Sequence, residues 1–189
     1  MDYLKELAIR ILQEVPNGLS KVKFAKIIYF THKYLVIKHI KAVHDLAFIR
    51  MPLGPVPVGF MDLEGDGISI ALQPSALSFD KQTYSWGGQS SYSDKEQEYI
   101  NKVVQSLNAI PTNELVEASH LEPSWLSHAN GVEYYIDTQD LSQPLPKTKS
   151  ILQDEKLAEQ HLQAKLVEGM LDDIVDESTL LEYPKTKSN

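Results

Sequence analysis

Two stretches decide the fold: Phe24-Ala25-Lys26-Ile27-Ile28-Tyr29-Phe30-Thr31-His32, and Phe48-Ile49-Arg50-Met51-Pro52-Leu53-Gly54-Pro55-Val56-Pro57. The first lies in a longer run from Ser20 to about Lys38. There Val22, Phe24, Ala25, Ile27, Ile28, Tyr29, Phe30, Tyr34, Leu35 and Ile37 cover most of the helical circumference. A helix that is apolar nearly all round is packed on several sides, so the run predicts a central helix. Ser20 stands where its hydroxyl can accept from a free N–H of the first turn. In the second stretch, Leu46 to Met51 is short and β-compatible. Pro52, Pro55 and Pro57 then exclude both a regular helix and a central strand.

Outward from this centre, residues 2–15 predict an amphipathic helix. Leu4, Leu7, Ala8, Ile11, Leu12 and Val15 recur at helical spacing, and Pro16-Asn17-Gly18 stops it. Ile68–Leu72 and Gln82–Trp86 predict strands beside the glycine turns Gly65-Asp66-Gly67 and Gly87-Gly88. Ser93-Asp94-Lys95-Glu96 reads as a capping box, opening a helix with Ile100, Val103, Val104 and Leu107 on its buried stripe and Pro111 at its end. Thr112 reads as the cap of a short helix to His120, broken by Pro123, with Trp125 just beyond and Gly131 as a terminator. The fold class is therefore α+β, mainly α: a helical domain with a small antiparallel β-element in its middle third. Residues 137–149 carry Pro144 and Pro146 and read as a linker after a domain of residues 1–136. Ser150-x-x-Gln153 opens an acidic C-terminal helix over 150–177, either an assembly element or a lid, and 178–189 reads as a disordered tail.

The chain of 189 residues has no cysteine, which removes disulfides, thiolate nucleophiles and Cys-based zinc sites and fits a cytoplasmic location. It holds no apolar run long enough for a membrane span, and its first residues lack the layout of a signal peptide. The net charge of −8 is divided unevenly: residues 1–50 carry +5, and the rest −13. The acidic whole argues against general nucleic-acid binding. The basic first third either complements an acidic partner or is neutralised within the fold. Tyr29 and Phe30, the aromatic candidates for base stacking beside the lysines, fall within the apolar stripe and read as core.

Gly54-Pro55-Val56-Pro57 reads as a rigid loop, since two prolines fix φ and Gly54 permits positive φ or a close approach. With Lys26 and Lys33 it forms the candidate partner-binding set. His120, Glu122 and His128 are the alternative: a hydrolase or transferase site, or zinc ligands, though their spacing matches no established metal motif. Against that, Trp125 reads as core and His120 as bonded to a backbone carbonyl. His32 lacks a nearby residue at a recognisable spacing to orient it as a general base. There is no Gly-x-Ser-x-Gly elbow, no phosphate-binding glycine loop and no dinucleotide fingerprint, so no catalytic residue, metal or cofactor is assigned.

Phe24–His32 resembles the "Lys-Leu-Leu-Tyr-Phe-Ala-His" helix of the Panacea domain, the SocA-like antitoxin family. Ala47–Val56 resembles its "Ala-Trp-x-x-Gly-Pro-Val" element, and Leu115–Trp125 its "Leu-x-x-x-Thr-His-x-Glu-x-Pro-Trp" element. Tyr29, His32, His120, Pro123 and Trp125 carry the motif, and the likeness spans about residues 3–131. The tryptophan before Gly-Pro-Val is missing, Ser119 replaces threonine, and Ser124 separates Pro123 from Trp125. The resemblance implies a mainly helical domain with a small β-element. It also implies a non-enzymatic, cytoplasmic antitoxin of a bacterial or phage toxin–antitoxin pair, which binds a toxin encoded by a neighbouring gene. No catalytic residue is carried over. A regulatory interaction scaffold is a further alternative, and homo-oligomerisation stays open.

Overall fold

The computed structural model describes residues 2–73, 81–88 and 92–147. The chain divides into two units, 1–147 and 148–189, and the described residues lie in the first. The expectations for 150–177 and 178–189 lie outside the described residues.

Helix α1 (Tyr3–Gln13) buries Leu4, Leu7, Ala8, Ile11 and Leu12, the stripe that periodicity predicts. The two-residue strand β1 (Leu19–Ser20) leads into α2 (Lys21–Ile37), the central helix. It packs against α1, β1, β3, β5, α3, α4 and α6, which is why so little of its circumference is polar. Ser20 is the N-cap residue, but its hydroxyl makes no capping bond. Burying Phe24, Tyr29 and Phe30 completely stabilises the unit by about 2–3 kcal/mol each. Phe24 meets Phe60 and Tyr84 at ring separations of 5.7 and 5.4 Å, and Tyr29 meets Phe48 edge-on at 5.0 Å.

The expected antiparallel β-element consists of two small sheets. The first orders β1, β5 (Lys81–Trp86) and β4 (Ile68–Gln73); the second orders β3 (Gly54–Pro57), β2 (Phe48–Met51) and β6 (Glu133–Tyr134). The outer members β1 and β6 have two residues each, too short to stand out as periodic runs. Helix α3 (Lys95–Asn108) begins one residue later than the capping box implies. Asp94, not Ser93, is the cap, and its carboxylate accepts from the Gln97 N–H. Arg10 holds the same carboxylate in a two-pronged pair at 2.9 Å, so Asp94 joins α1 to α3. Hydrogen bonds from Arg10 first, then from the Gln97 N–H, hold its carboxyl down to about 2.

Helix α4 (Thr112–Ser119) has Pro111 as its cap residue, with Thr112 already inside it. Pro123 does not merely end a helix: it opens α5 (Pro123–Ser127), where its missing N–H costs nothing. The stretch read as a linker contains α6 (Thr138–Ser142), capped by Asp137 and Asp140. Asp140 is fully buried and accepts from the Ser124 N–H and hydroxyl, tying α6 to α5. A five-residue helix just before Pro144 carries no usable periodicity, which explains the linker reading.

Candidate partner-binding site

Gly54–Pro57 is not a free loop but the edge strand β3, paired with β2 in the register Met51↔Gly54 to Phe48↔Pro57. The Val58 N–H donates to the Ala47 carbonyl, so by alternation the inward-bonding positions are Val58, Val56 and Gly54. Pro55 and Pro57 fall on the outward positions, where a proline removes no ladder bond. The edge therefore offers no N–H to another strand, which blocks pairing with a further chain. Gly54, Pro55 and Pro57 are buried and Val56 half-buried; the exposed part of the hairpin is Met51-Pro52-Leu53.

Lys26 and Lys33 are not surface cations. Lys26 is 1 % exposed and its Nζ donates to the Pro55 carbonyl at 2.6 Å, pinning β3 to α2. Burial pushes its pKa down to about 7. Lys33 is 0 % exposed and its Nζ lies 2.8 Å from both oxygens of Glu122, which also accepts from the Tyr29 hydroxyl at 3.2 Å. Burial pushes the Glu122 carboxyl up, and the Lys33 ammonium opposes it. This pair holds the turn between α4 and α5 to the central helix.

Between the start of α2 and the β2–β3 hairpin runs an apolar groove. One section, of about 430 Å³, is lined by Val22, Ala25, Pro52 and Leu53 and by the stem of Lys26. A second, of about 370 Å³, adds Ile49, Pro57 and Met61. Both sections share Lys21, Met51, Val56 and Phe60, which makes them one continuous depression. Its rim exposes large apolar side chains: Met51, Leu53 at 56 % and Met61 at 62 %. Contiguous exposed apolar surface is what partner-binding grooves commonly present, which makes this depression the candidate site. The partner-binding set expected from the sequence lacks Met51, Leu53 and Met61, and it lacks Lys21, which the sequence sets only among the lysines of the basic segment. A signal was present, since Met51-Pro52-Leu53 puts apolar residues at a turn, where polar ones are expected.

The basic first third is largely neutralised inside the fold. Lys5 pairs with Asp66, Arg10 with Glu6 and Asp94, Lys33 with Glu122, and Lys41 with Glu96. Lys23 and Lys26 bond carbonyls, Lys38 lies over the Tyr34 ring, and Arg50 bonds the Trp125 carbonyl and Asn130. Lys21 alone of these nine cations has no partner among the described residues, and it lines both sections of the groove.

His120, Glu122 and His128 do not converge on a shared site. His120 stacks on Trp125 at 4.1 Å, Glu122 is committed to Lys33 and Tyr29, and His128 stacks on Tyr134 at 5.0 Å. No cluster of three or more His, Asp or Glu side chains is placed to hold a metal among the described residues. Burial and the nearby Lys26 lower the His120 pKa, while the Pro52 carbonyl opposes them. Trp125 is packed as expected. Its Nε1 donates to the Met51 carbonyl and Arg50 lies over its ring at 4.1 Å, so α5 buttresses the hairpin beside the groove.

His32 is fully buried against Tyr3 and Phe48, with its Nδ1 3.1 Å from the Tyr3 hydroxyl. Burial pushes its pKa down to about 4 against an ordinary 6.5; the Val43 backbone and Asp45 oppose this, while Lys41 adds to it. The folded pKa is the lower one, so between those values the unfolded chain binds more protons. Stability is then full above pH 6.5 and falls as pH drops towards 4, by about 3 kcal/mol in total. Glu122, raised by burial, acts with the opposite sign just above its ordinary pKa. Comparing urea midpoints of the wild type and His32→Gln across this range isolates the His32 share: the variant is expected to lose this acid-side decline. An unchanged slope would remove His32 as its cause.

These features define a mainly helical α+β unit with a rigid hairpin and an open apolar groove. Residues 24–126, more than half of the chain, match the family model of the antitoxin SocA-like Panacea domain, and the chain belongs to this family. No curated protein and no solved structure matches the chain. Among the described residues, no helix is long and apolar enough to cross a membrane.

Proposed function

We propose that this chain is a non-enzymatic antitoxin, acting in the cytoplasm, that neutralises a protein toxin by direct contact through the groove and the hairpin tip. The observation that carries this reading is the open apolar groove bounded by Met51, Leu53 and Met61, on a chain of an antitoxin family. The hairpin is held from three sides. Lys26 fixes β3, Trp125 fixes the Met51 carbonyl, and β6 pairs with β2. A surface already ordered before binding loses little entropy on docking, so more of the contact energy appears as affinity. Inhibition then works by occlusion, as the groove and the hairpin cover the toxin's working surface.

The test is co-expression with the product of the neighbouring gene. Alone, that product is expected to arrest growth; with this chain, growth returns and the two proteins co-elute. Leu53→Asp, at an exposed position, is expected to weaken the complex by at least tenfold, since it places a charge at a desolvated contact. A neighbour that is harmless alone and does not co-purify would end the antitoxin reading.

A further inference from the structure

We infer that the groove receives an amphipathic helix of the partner, with its apolar face on Val22, Met51, Leu53 and Val56 and a flanking carboxylate on Lys21. This rests on the antitoxin reading for the partner's identity, but its physical basis is separate. The groove lining is almost wholly apolar. An extended segment laid there would lose water from its backbone N–H and C=O groups and find nothing to replace it.

Strand addition, the usual remedy, is closed. The outward positions of β3 are Pro55 and Pro57, which have no N–H, and the Pro55 carbonyl is already taken by Lys26. A helix satisfies its own backbone and presents only side chains, so it is the occupant this surface accepts.

Charge selects among helices. The charged residues lining the larger section are Lys21 and Lys26, with no carboxylate among them. Lys26 is turned to Pro55, whereas Lys21 is uncommitted among the described residues. The first turn of α2, where Lys21 stands, holds no acidic residue. Asp62 is the one acidic residue lining the groove, in its second section. An acidic flank near Lys21 is thus complementary, and a basic flank there is repelled.

The test uses two fluorescein-labelled peptides of roughly 18 residues, long enough to form helix. Both carry the same Leu/Met face at i, i+3, i+4 and i+7 spacing; one is flanked by Glu and the other by Lys. Anisotropy titrations with the full chain are expected to show the Glu-flanked peptide binding about tenfold more tightly at low salt. Lys21→Glu is expected to reverse that order, and Leu53→Asp to remove both bindings. Equal affinity for the two peptides, or no binding of either below about 1 mM, overturns the inference. So does self-association that Leu53→Asp abolishes, because the occupant is then a second copy. If the neighbouring gene's product is silenced equally well by the Lys21→Glu and Leu53→Asp variants, the docking inference and the groove's part in capture fall, while antitoxin activity by another surface stands. If that product is harmless, the antitoxin reading falls and the peptide titrations still decide the groove.

Discussion

Glu122→Ala is expected to cost about 3–5 kcal/mol of stability, the largest loss from any single polar truncation in this unit. The carboxylate sits in the α4–α5 turn and meets Lys33 of α2 with both oxygens at 2.8 Å. Lys33 is completely buried, and no other acceptor is drawn to its ammonium among the described residues. Removing Glu122 leaves a desolvated cation and also strips the Tyr29 hydroxyl of its partner. The protein must then either neutralise Lys33 or admit water to the core, and both are costly.

A buried pair is not itself a large net gain, however, because each ion loses its hydration on folding. The double variant Lys33→Met/Glu122→Leu removes both charges at similar volume and is expected to recover most of the loss. Urea denaturation of the two single variants and the double variant measures the coupling. If the double variant were as unstable as Glu122→Ala, shape rather than charge would set the energetics of this junction.

Gly54→Val is expected to cost about 3 kcal/mol or more and to disorder the hairpin. Gly54 has φ of 90°, in the left-handed region that side chains avoid. A Cβ there would also collide with the Ser119 hydroxyl and lie 2.8 Å from Cε of Lys26. Neither neighbour can readily retreat. Ser119 is fully buried and donates to the Val116 carbonyl, and Lys26 is anchored on Pro55. Displacing Lys26 would release β3 from α2 and so deform the groove. The measurement is a thermal melt together with hydrogen exchange at residues 48–58. Lost protection there, with α3 unchanged, is the expected pattern. Wild-type stability would show that the hairpin accommodates the branch by moving as a body.

Together these variants separate two supports of the same surface. Glu122 holds the α4–α5 turn to the central helix, and Gly54 lets the hairpin approach that helix closely. Both act on the groove from behind, so their effect on partner binding should follow their effect on folding. Leu53→Asp, on an exposed rim, should change binding alone.

Much of this was legible in the chain. The all-round apolar character of residues 22–37 can only be satisfied by neighbours on several sides, and α2 is indeed central. The prolines at 55 and 57 exclude a central strand, and β3 is an edge strand. The stripe of α1 was readable because its period repeats over three turns. The three motif elements by themselves indicate the family, and the family model matches the same region, residues 24–126.

The site was less legible. Lys26 and Lys33 stand seven residues apart, two helical turns, and so fall on one face; lysines in a charge-rich segment are normally solvated, which is why they read as a partner-facing pair. What buries Lys33 is Glu122, 89 residues away in the chain, and no local pattern announces a pairing at that separation. The same holds for Asp94 on Arg10 and Asp140 on Ser124. Sequence alone determined the longer helices and strands and the family, because periodicity, proline and short motifs act over a few residues. The tertiary structure alone decided which charges are buried and where the apolar groove opens, because desolvation depends on everything that surrounds a side chain, whatever its place in the chain.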